Sequence, residues 1–242
     1  MKAAEVSQQD LDLLRKHDTP TVCNAIELFD VRPKTAGYMD GRIGACFPEM
    51  PPMVGFAVTA TFRSAALAEG DAYSGLGDIT DAFDALPGPA VVVFQDLDDP
   101  PAAATFGEIV CTTFKTFGAA GLITSGAGRD LDQVRKIGFP AFTGGTICAH
   151  GYCHIPSVQV PVHVGNVMIR PGDLLHGDCN GVTTIPREIA SQVGQVCEEF
   201  VQAELVLLEC LNGPNPTPES LDKARAKYRG LIQKVRERIG TA

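Results

Sequence analysis

Residues 106–140 read FGEIVCTTFKTFGAAGLITSGAGRDLDQVRKIGFP, and three of them carry groups that could do chemistry. Glu108 follows a glycine and opens an amphipathic run; twenty residues then intervene before adjacent Arg129 and Asp130 open a second run. A helix start leaves backbone N–H groups unpaired and carries partial positive charge, so an anion is stabilised there. Each residue also has a plain structural account: Glu108 complements a helix dipole, Asp130 caps a helix, and Arg129 is a surface cation.

The order of elements gives these residues a joint meaning. A helix over 108–117 runs away from its start and a strand over 121–125 runs back, so residues 126–130 should emerge beside Gly107 and Glu108. Gly126 and Gly128 keep that returning loop small enough for a ligand to approach its backbone. One pocket would then offer the N–H groups of residues 107–110, a guanidinium suited to a carboxylate or oxyanion, and two carboxylates. Neighbouring carboxylates repel unless a cation joins them, and hard oxygen donors with room for water suit Mg²⁺ or Mn²⁺ better than zinc.

The elements that must hold this pocket can be traced along the chain. Ser7 and Asp10 bracket a capped helix with Leu11 and Leu14 on one face, and TPTVCNAIELF reads as a second helix with Pro20 in its first turn. VGFAVTATFRS (54–64) and PAVVVFQDLD (89–98) are β-rich runs, with a helix expected through GDITDAFDAL between them. Val110, Phe114 and Phe117 mark the buried face of the helix after Glu108, which Gly118 closes. AGLITSG is a short buried strand; Leu131, Val134 and Ile137 then mark a helix that stops at Gly138-Phe139-Pro140. VQVPVHVGNVMI alternates Val158, Val160, Val162 and Val164, as a half-buried strand or a bent pair meeting near Gly165-Asn166. RPGDLLHGDCNGVTTIP adds two turns and a last strand. Helices follow over roughly 188–212 and from Thr217-Pro218, the last with Leu221, Ala224, Tyr228, Leu231, Val235 and Ile239 on one face. The sum is an α/β chain read as a single domain over 1–242, with a core at about 19–190 and a helical C-terminal extension over 188–242.

Composition narrows the partners. The net charge of −9 and the lack of a dense Lys/Arg cluster argue against nucleic acid. No apolar run reaches the roughly 18–20 residues of a membrane helix, and the N-terminal segment has no signal-peptide core, so a cytoplasmic location is expected. The eight scattered cysteines are expected to be reduced. Cys148, His150, Cys153 and His154 crowd TICAHGYCHIP, but the paired spacing of common zinc sites is missing, so a Cys/His-rich loop is the expectation.

Glu108, the twenty-residue interval and Arg129-Asp130 resemble the acid-x20-Arg-Asp motif of the class II pyruvate aldolases of the RraA-like family. These cleave 4-hydroxy-4-methyl-2-oxoglutarate or 4-carboxy-4-hydroxy-2-oxoadipate. TPTVCNAIE is similar to the family's N-terminal helix start, with Asn24 where Asp is usual. VGFAVTATF, GFPAF and above all VPVHVGNVMIRPGDLLHGDCNGVTTIP extend the likeness over roughly residues 19–190.

The resemblance implies a swivelling β/β/α fold with helical ends, assembled as a homotrimer or homohexamer with sites at subunit contacts. It makes Asp130 the direct ligand of a mostly hydrated Mg²⁺ or Mn²⁺. It puts Arg129 on the keto oxygen of a 2-oxo acid substrate and the backbone of Gly107, Glu108, Ile109 and Val110 on its carboxylate. Glu108, where Asp is usual, would contact metal-bound water and move protons. Glu199 or Glu204 of a neighbouring subunit is a candidate to complete the metal shell. The implied reaction is retro-aldol cleavage to pyruvate and a second oxo acid, with oxaloacetate decarboxylation beside it.

Some positions depart from the family pattern. Ser125 and Gly128 stand where Asp and Val are frequent, and DLDDPPAAATF lacks the expected glycines. The rival readings are a non-catalytic binding protein, as the RNase E inhibitor of this family is, and a methyltransferase. Asp130 favours the enzyme over the former, because the inhibitor type lacks that residue. SGLGD at 74–78 is too weak and too misplaced a loop for the latter. A Schiff-base mechanism would need Lys115, two helical turns from the helix start. Asp173 reads as a turn-former, His176 and Asp178 as structural, and His150 and His154 as possible rim residues.

Overall fold

The computed structural model describes residues 6–67 and 75–241. In chain order the elements are α1 (Gln8–Leu14), α2 (Thr19–Leu28), β1 (Gly44–Ala45), β2 (Met53–Phe62), α3 (Leu76–Asp81) and β3 (Ala90–Asp96). There follow β4 (Ala104–Phe106), α4 (Glu108–Thr116), β5 (Gly121–Thr124), β6 (Ala127–Gly128), α5 (Leu131–Lys136), β7 (Ala141–Thr143) and β8 (Gly145–Thr146). The chain closes with β9 (Val162–Val164), β10 (Val167–Ile169), β11 (Leu174–Asp178), β12 (Gly181–Ile185), α6 (Ala190–Leu211) and α7 (Pro218–Ile239). Contacts group these into two compact units, one of residues up to Lys34 and from Glu188 onward, the other Thr35–Arg187.

The helical unit packs α1, α2 and α7 around α6. Ser7 and Asp10 form the expected capping box, and Asp18 caps α2 by accepting the Thr21 N–H at 2.9 Å. Gly194 has no side chain where Leu13 crosses α6. The stripe expected on α7 is its covered face: Ala224 and Val235 are buried, and Tyr228 meets Phe200 edge-on at 6.4 Å.

The α/β unit is built on a seven-stranded sheet in the order β1-β7-β5-β3-β2-β11-β12. β2, β3, β5 and β7 run parallel, which requires crossovers and buries both faces, so β2 and β3 are near-continuous apolar runs. One face, with Val58, Ala60, Phe62, Val92, Phe94 and Leu122, packs against α4 through Val110, Cys111 and Phe114. The other, with Ala57, Val91, Val93 and Ile123, packs against Val162, Val164 and Ile169 of the β9–β10 hairpin. The layers are therefore β, β and α.

The structure departs from two local expectations. Phe117 is not on the core face of α4; it is 61 % exposed at the helix end, and Cys111 takes the inward place. The alternating run is a strand only from Val162: Gln159 is left-handed (φ 57°), Pro161 has no N–H, and the bend falls at Gly165-Asn166, both with positive φ.

Candidate active site

A second, three-stranded sheet of order β4-β6-β8 sets the positions of the singled-out residues. β4 and β6 pair in parallel, Ala104 with Ala127 and Phe106 with Gly128, so both strands end at one level and each runs into a helix. The Arg129 N–H donates to the Phe106 carbonyl at 3.0 Å, tying the second helix start to the first. Beneath them the Thr124 hydroxyl donates to Thr105 Oγ1 at 3.1 Å and accepts the Gly126 N–H at 2.9 Å. The volume a side chain would need at 128 is filled by the buried Phe106 ring, 2.3 Å from where a Cβ would stand.

At that junction Asp130 has φ 55° and ψ 37°, the left-handed region that an aspartate tolerates better than most residues. It occupies the N-cap position of α5, yet its side chain makes no bond to that helix. Oδ2 instead accepts the Glu108 N–H of α4 at 3.1 Å and lies 3.6 Å from Arg129 Nε. Gly107 lets these groups close in, since a Cβ there would be 2.5 Å from Asp130 Oδ2 and 3.1 Å from Arg129 Nε. The Arg129 and Asp130 side chains are 34 % and 36 % exposed, so their pairing adds little stability and leaves both open to a ligand.

The Glu108 N–H is thus already used. The N–H groups of Ile109 and Val110, which begin α4 without a carbonyl partner among the described residues, remain for an anion. The Glu108 carboxylate and Ile109 are exposed, while the Val110 side chain is in the core. A cavity of about 350 Å³ opens over this junction, walled by Arg129, Asp130, Leu131, Thr146, Ile147 and Cys148.

The donor chemistry fits a hard, largely hydrated cation. Asp130 Oδ1 has no hydrogen bond among the described residues and Glu108 supplies a second carboxylate at the same helix start. Among the described residues no group of three or more His, Cys, Asp and Glu side chains is gathered to hold a metal alone. One or two carboxylates with a shell of water is how Mg²⁺ is usually held.

The remaining residues of interest lie elsewhere. Lys115 sits at the far end of α4, its ammonium on the carbonyls of Ile137 and Gly138 at the end of α5. Cys153 is buried with its Sγ on the His150 carbonyl (2.6 Å), and the His150 and His154 rings bond the neighbouring carbonyls of Gly151 and Tyr152. Of that segment it is Cys148, not either histidine, that walls the cavity. Asp173 closes its turn by accepting the Arg170 N–H (2.8 Å), and His176 is fully buried in β11. Asp178 holds the Asn180 N–H at 2.8 Å. Glu199 is bound by Arg238 through two contacts, at 2.8 and 3.2 Å, whereas Glu204 has no ion pair among the described residues and burial raises its pKa. Ser74 of SGLGD lies outside the described residues, and Leu76 to Asp78 open α3. A larger cavity, about 480 Å³, includes Arg42, Asp99, Ser125, Gly126 and His163 in its wall and meets the first along Thr146 and Ile147.

Asp96 was not singled out by its sequence, although a carboxyl-terminal strand end in a parallel sheet is where α/β sites form. Its Oδ1 accepts the Asp98 N–H at 3.0 Å, while Oδ2 is buried against Gly126 and Thr105 without a partner among the described residues. Burial, with a smaller push from the charge of Asp98, raises its pKa from 3.8 to about 6. Below 3.8 both folded and unfolded chains hold the proton, and as pH rises toward 6 only the unfolded chain releases it, so stability falls. Asp96→Asn should therefore stabilise at pH 7–8 by about 1 kcal/mol, well under the full conversion because the group is only half buried. The gain should vanish near pH 4; thermal melts across pH check this, and an equal gain at both pH values would refute it.

The model of the family described as RraA-like: Aldolase/RraA matches residues 19–184. This chain is a member of the RraA-like family. Over 184 residues it is 32 % identical to a Halalkalibacterium halodurans protein named "Putative 4-hydroxy-4-methyl-2-oxoglutarate aldolase", covering 75 % of this chain and 80 % of that one. The fold agrees with solved structures. An uncharacterized protein from Pseudomonas syringae pv. tomato superposes with a TM-score of 0.73 at 23 % identity, over 94 % of this chain and 98 % of its own. Streptomyces coelicolor RraAS2, described as an unusual member of the RNase ES inhibitor RraA protein family, gives 0.66 at 23 % identity, over 84 % and 96 %. Among the described residues no helix is long and apolar enough to cross a membrane.

Proposed function

We propose that this RraA-like protein is a class II pyruvate aldolase. It would cleave 4-hydroxy-2-oxo di- and tricarboxylic acids to pyruvate and a second oxo acid, and decarboxylate oxaloacetate. One observation carries the reading: the Asp130 carboxylate is turned away from its own helix onto the Glu108 N–H, beside Arg129 and facing an open cavity. Mg²⁺ or Mn²⁺ held by Asp130, with Glu108 beside it, would supply positive charge where the 2-oxo acid becomes an enolate. The Ile109 and Val110 N–H groups bind the substrate's C1 carboxylate at the start of α4. Arg129 donates to the 2-oxo oxygen, and its charge is worth most when that oxygen becomes negative. Glu108 takes up the 4-hydroxyl proton as the C3–C4 bond breaks, then returns a proton to C3 to give pyruvate.

The protein would act in the cytoplasm as a trimer or hexamer, the assembly being checked by sedimentation. Of the two candidates on α6, Glu204 rather than Glu199 would reach a neighbour's metal, since Arg238 holds Glu199. Pyruvate release from oxaloacetate and from 4-hydroxy-4-methyl-2-oxoglutarate, with and without a chelator, tests the reading. Turnover of neither substrate in Mg²⁺ or Mn²⁺ would favour a binding protein, and turnover indifferent to chelator would reject the metal. Arg129→Ala should lower kcat about 10²–10³-fold, the scale of one lost oxyanion donor, while Mn²⁺ still binds by calorimetry.

A further inference from the structure

Three strand ends beneath the candidate site meet at a buried hydrogen-bond chain of fixed direction. The Gly126 N–H can only donate, and it donates to Thr124 Oγ1 at 2.9 Å; the Thr124 hydroxyl in turn donates to Thr105 Oγ1 at 3.1 Å. Thr105 and Thr124 are fully buried, and the Thr105 hydroxyl donates to no acceptor among the described residues. What it faces is Asp96. A Cβ at Gly126 would stand 2.5 Å from Thr105 Oγ1 and 2.4 Å from Asp96 Oδ2, the buried oxygen without a partner among the described residues. The two oxygens therefore meet across the space this glycine leaves open, near enough for a small shift or one water molecule to join them. Asp96 ends β3, Thr105 lies in β4 two residues before Gly107, and Gly126 leads through β6 to Arg129. The chain thus ties together the strands that set Arg129 against the start of α4.

We propose that Asp96 is a positioning residue for the reaction. As terminal acceptor of the Gly126–Thr124–Thr105 chain, its carboxylate holds β4 and β6 at the level that aligns Arg129 with the start of α4. This rests on the aldolase reading and adds to it a residue that touches neither substrate nor metal. Protonation puts a second donor against Thr105, so that one buried hydroxyl proton loses its acceptor. Burial brings that protonation into reach by raising the Asp96 pKa to about 6, and Asp98 is the charged group that acts on it. Phe62 pairs with Asp96 on β2, and Thr105 and Ser125 lie against it from β4 and the end of β5; none of these titrates. Arg42, Asp99 and His163 share the wall of the larger cavity with Ser125 and Gly126.

Asp96→Asn separates this role from a merely structural one. The Asp98 N–H keeps the amide oxygen on its own side, so the amide nitrogen, a donor, faces Thr105. At about pH 7.5 the variant should melt no lower than wild type. Its kcat for pyruvate release should nevertheless be about tenfold lower, with KM and Mn²⁺ affinity within about twofold. Wild-type kcat should rise through a step near pH 6 that Asp96→Asn and Thr105→Val lack and Thr105→Ser keeps. A step that persists in Asp96→Asn overturns the inference, as does a wild-type kcat in that variant. Amide NMR needs no turnover. The Arg129 N–H signal should titrate near pH 6 in wild type and Thr105→Ser, but in neither Asp96→Asn nor Thr105→Val, where a bare through-space effect of the charge would survive. That pattern without turnover of any substrate rejects the aldolase reading and supports the coupling. Turnover with an Arg129 signal indifferent to Asp96 and Thr105 rejects the inference alone.

Discussion

Asp130→Asn should leave the fold in place and lower turnover about 10³-fold or more. Asparagine tolerates the left-handed backbone at φ 55°, and its carbonyl can still accept the Glu108 N–H that Asp130 now accepts at 3.1 Å. What it lacks is the negative charge that a hard, hydrated cation needs from so sparse a donor set. A loss of this size corresponds to about 4 kcal/mol of transition-state stabilisation. Asp130→Ala should lose the same activity and also about 1–2 kcal/mol of stability, since it strands the Glu108 N–H and places alanine in a left-handed conformation. The comparison needs three readouts: pyruvate release, Mn²⁺ affinity and thermal melting. An asparagine variant that keeps more than a tenth of wild-type turnover would remove Asp130 from the mechanism.

Gly128→Val should be the most destabilising single change near the site, costing about 3 kcal/mol or more. The new Cβ would stand 2.3 Å from Phe106 Cζ and 2.8 Å from both Cε atoms. Phe106 is fully buried in the core cluster beneath α4 and cannot move without displacing its neighbours. Overpacking of this kind usually costs 1–3 kcal/mol, and more when an aromatic ring must leave its place. For a chain of this size the melting temperature should fall by about 6–12 °C. Activity should fall too, because the β4–β6 pair that would separate is the one that aligns Arg129 with the start of α4. Adding Phe106→Leu should restore part of the stability by emptying the contested volume. A double variant no more stable than Gly128→Val would show that the ring is not the cause.

The Gly128–Phe106 contact also explains one departure of this chain from the aldolase pattern. The valine frequent at that position is replaced by glycine, and the space is taken from across the β4–β6 pair by Phe106. Ser125, where an acid is frequent, has its hydroxyl accepting the Asp96 N–H at 2.9 Å, which places it beside a half-buried carboxyl whose pKa burial already raises. A carboxylate at 125 would set two like charges in that spot.

Much of this molecule was determined locally. The capped starts of α1 and α7, the positive-φ glycines closing α4 and α5, and the continuous apolar runs of β2 and β3 each follow from conformational limits and burial within a few residues. The run-out of one helix and return of one strand even brought Gly107 and Arg129-Asp130 together, because the path between them has few alternatives. The tertiary structure decided what spacing cannot encode. β4, β6 and β8 are two or three residues of mostly small side chains with no periodicity, and yet they set the level at which both helices begin. The turning of Asp130 onto the other helix, the burial of Asp96 and the approach of Cys148 to the cavity arise between segments far apart in the chain. Such contacts depend on the packed positions of whole elements, which no local pattern of residue types carries.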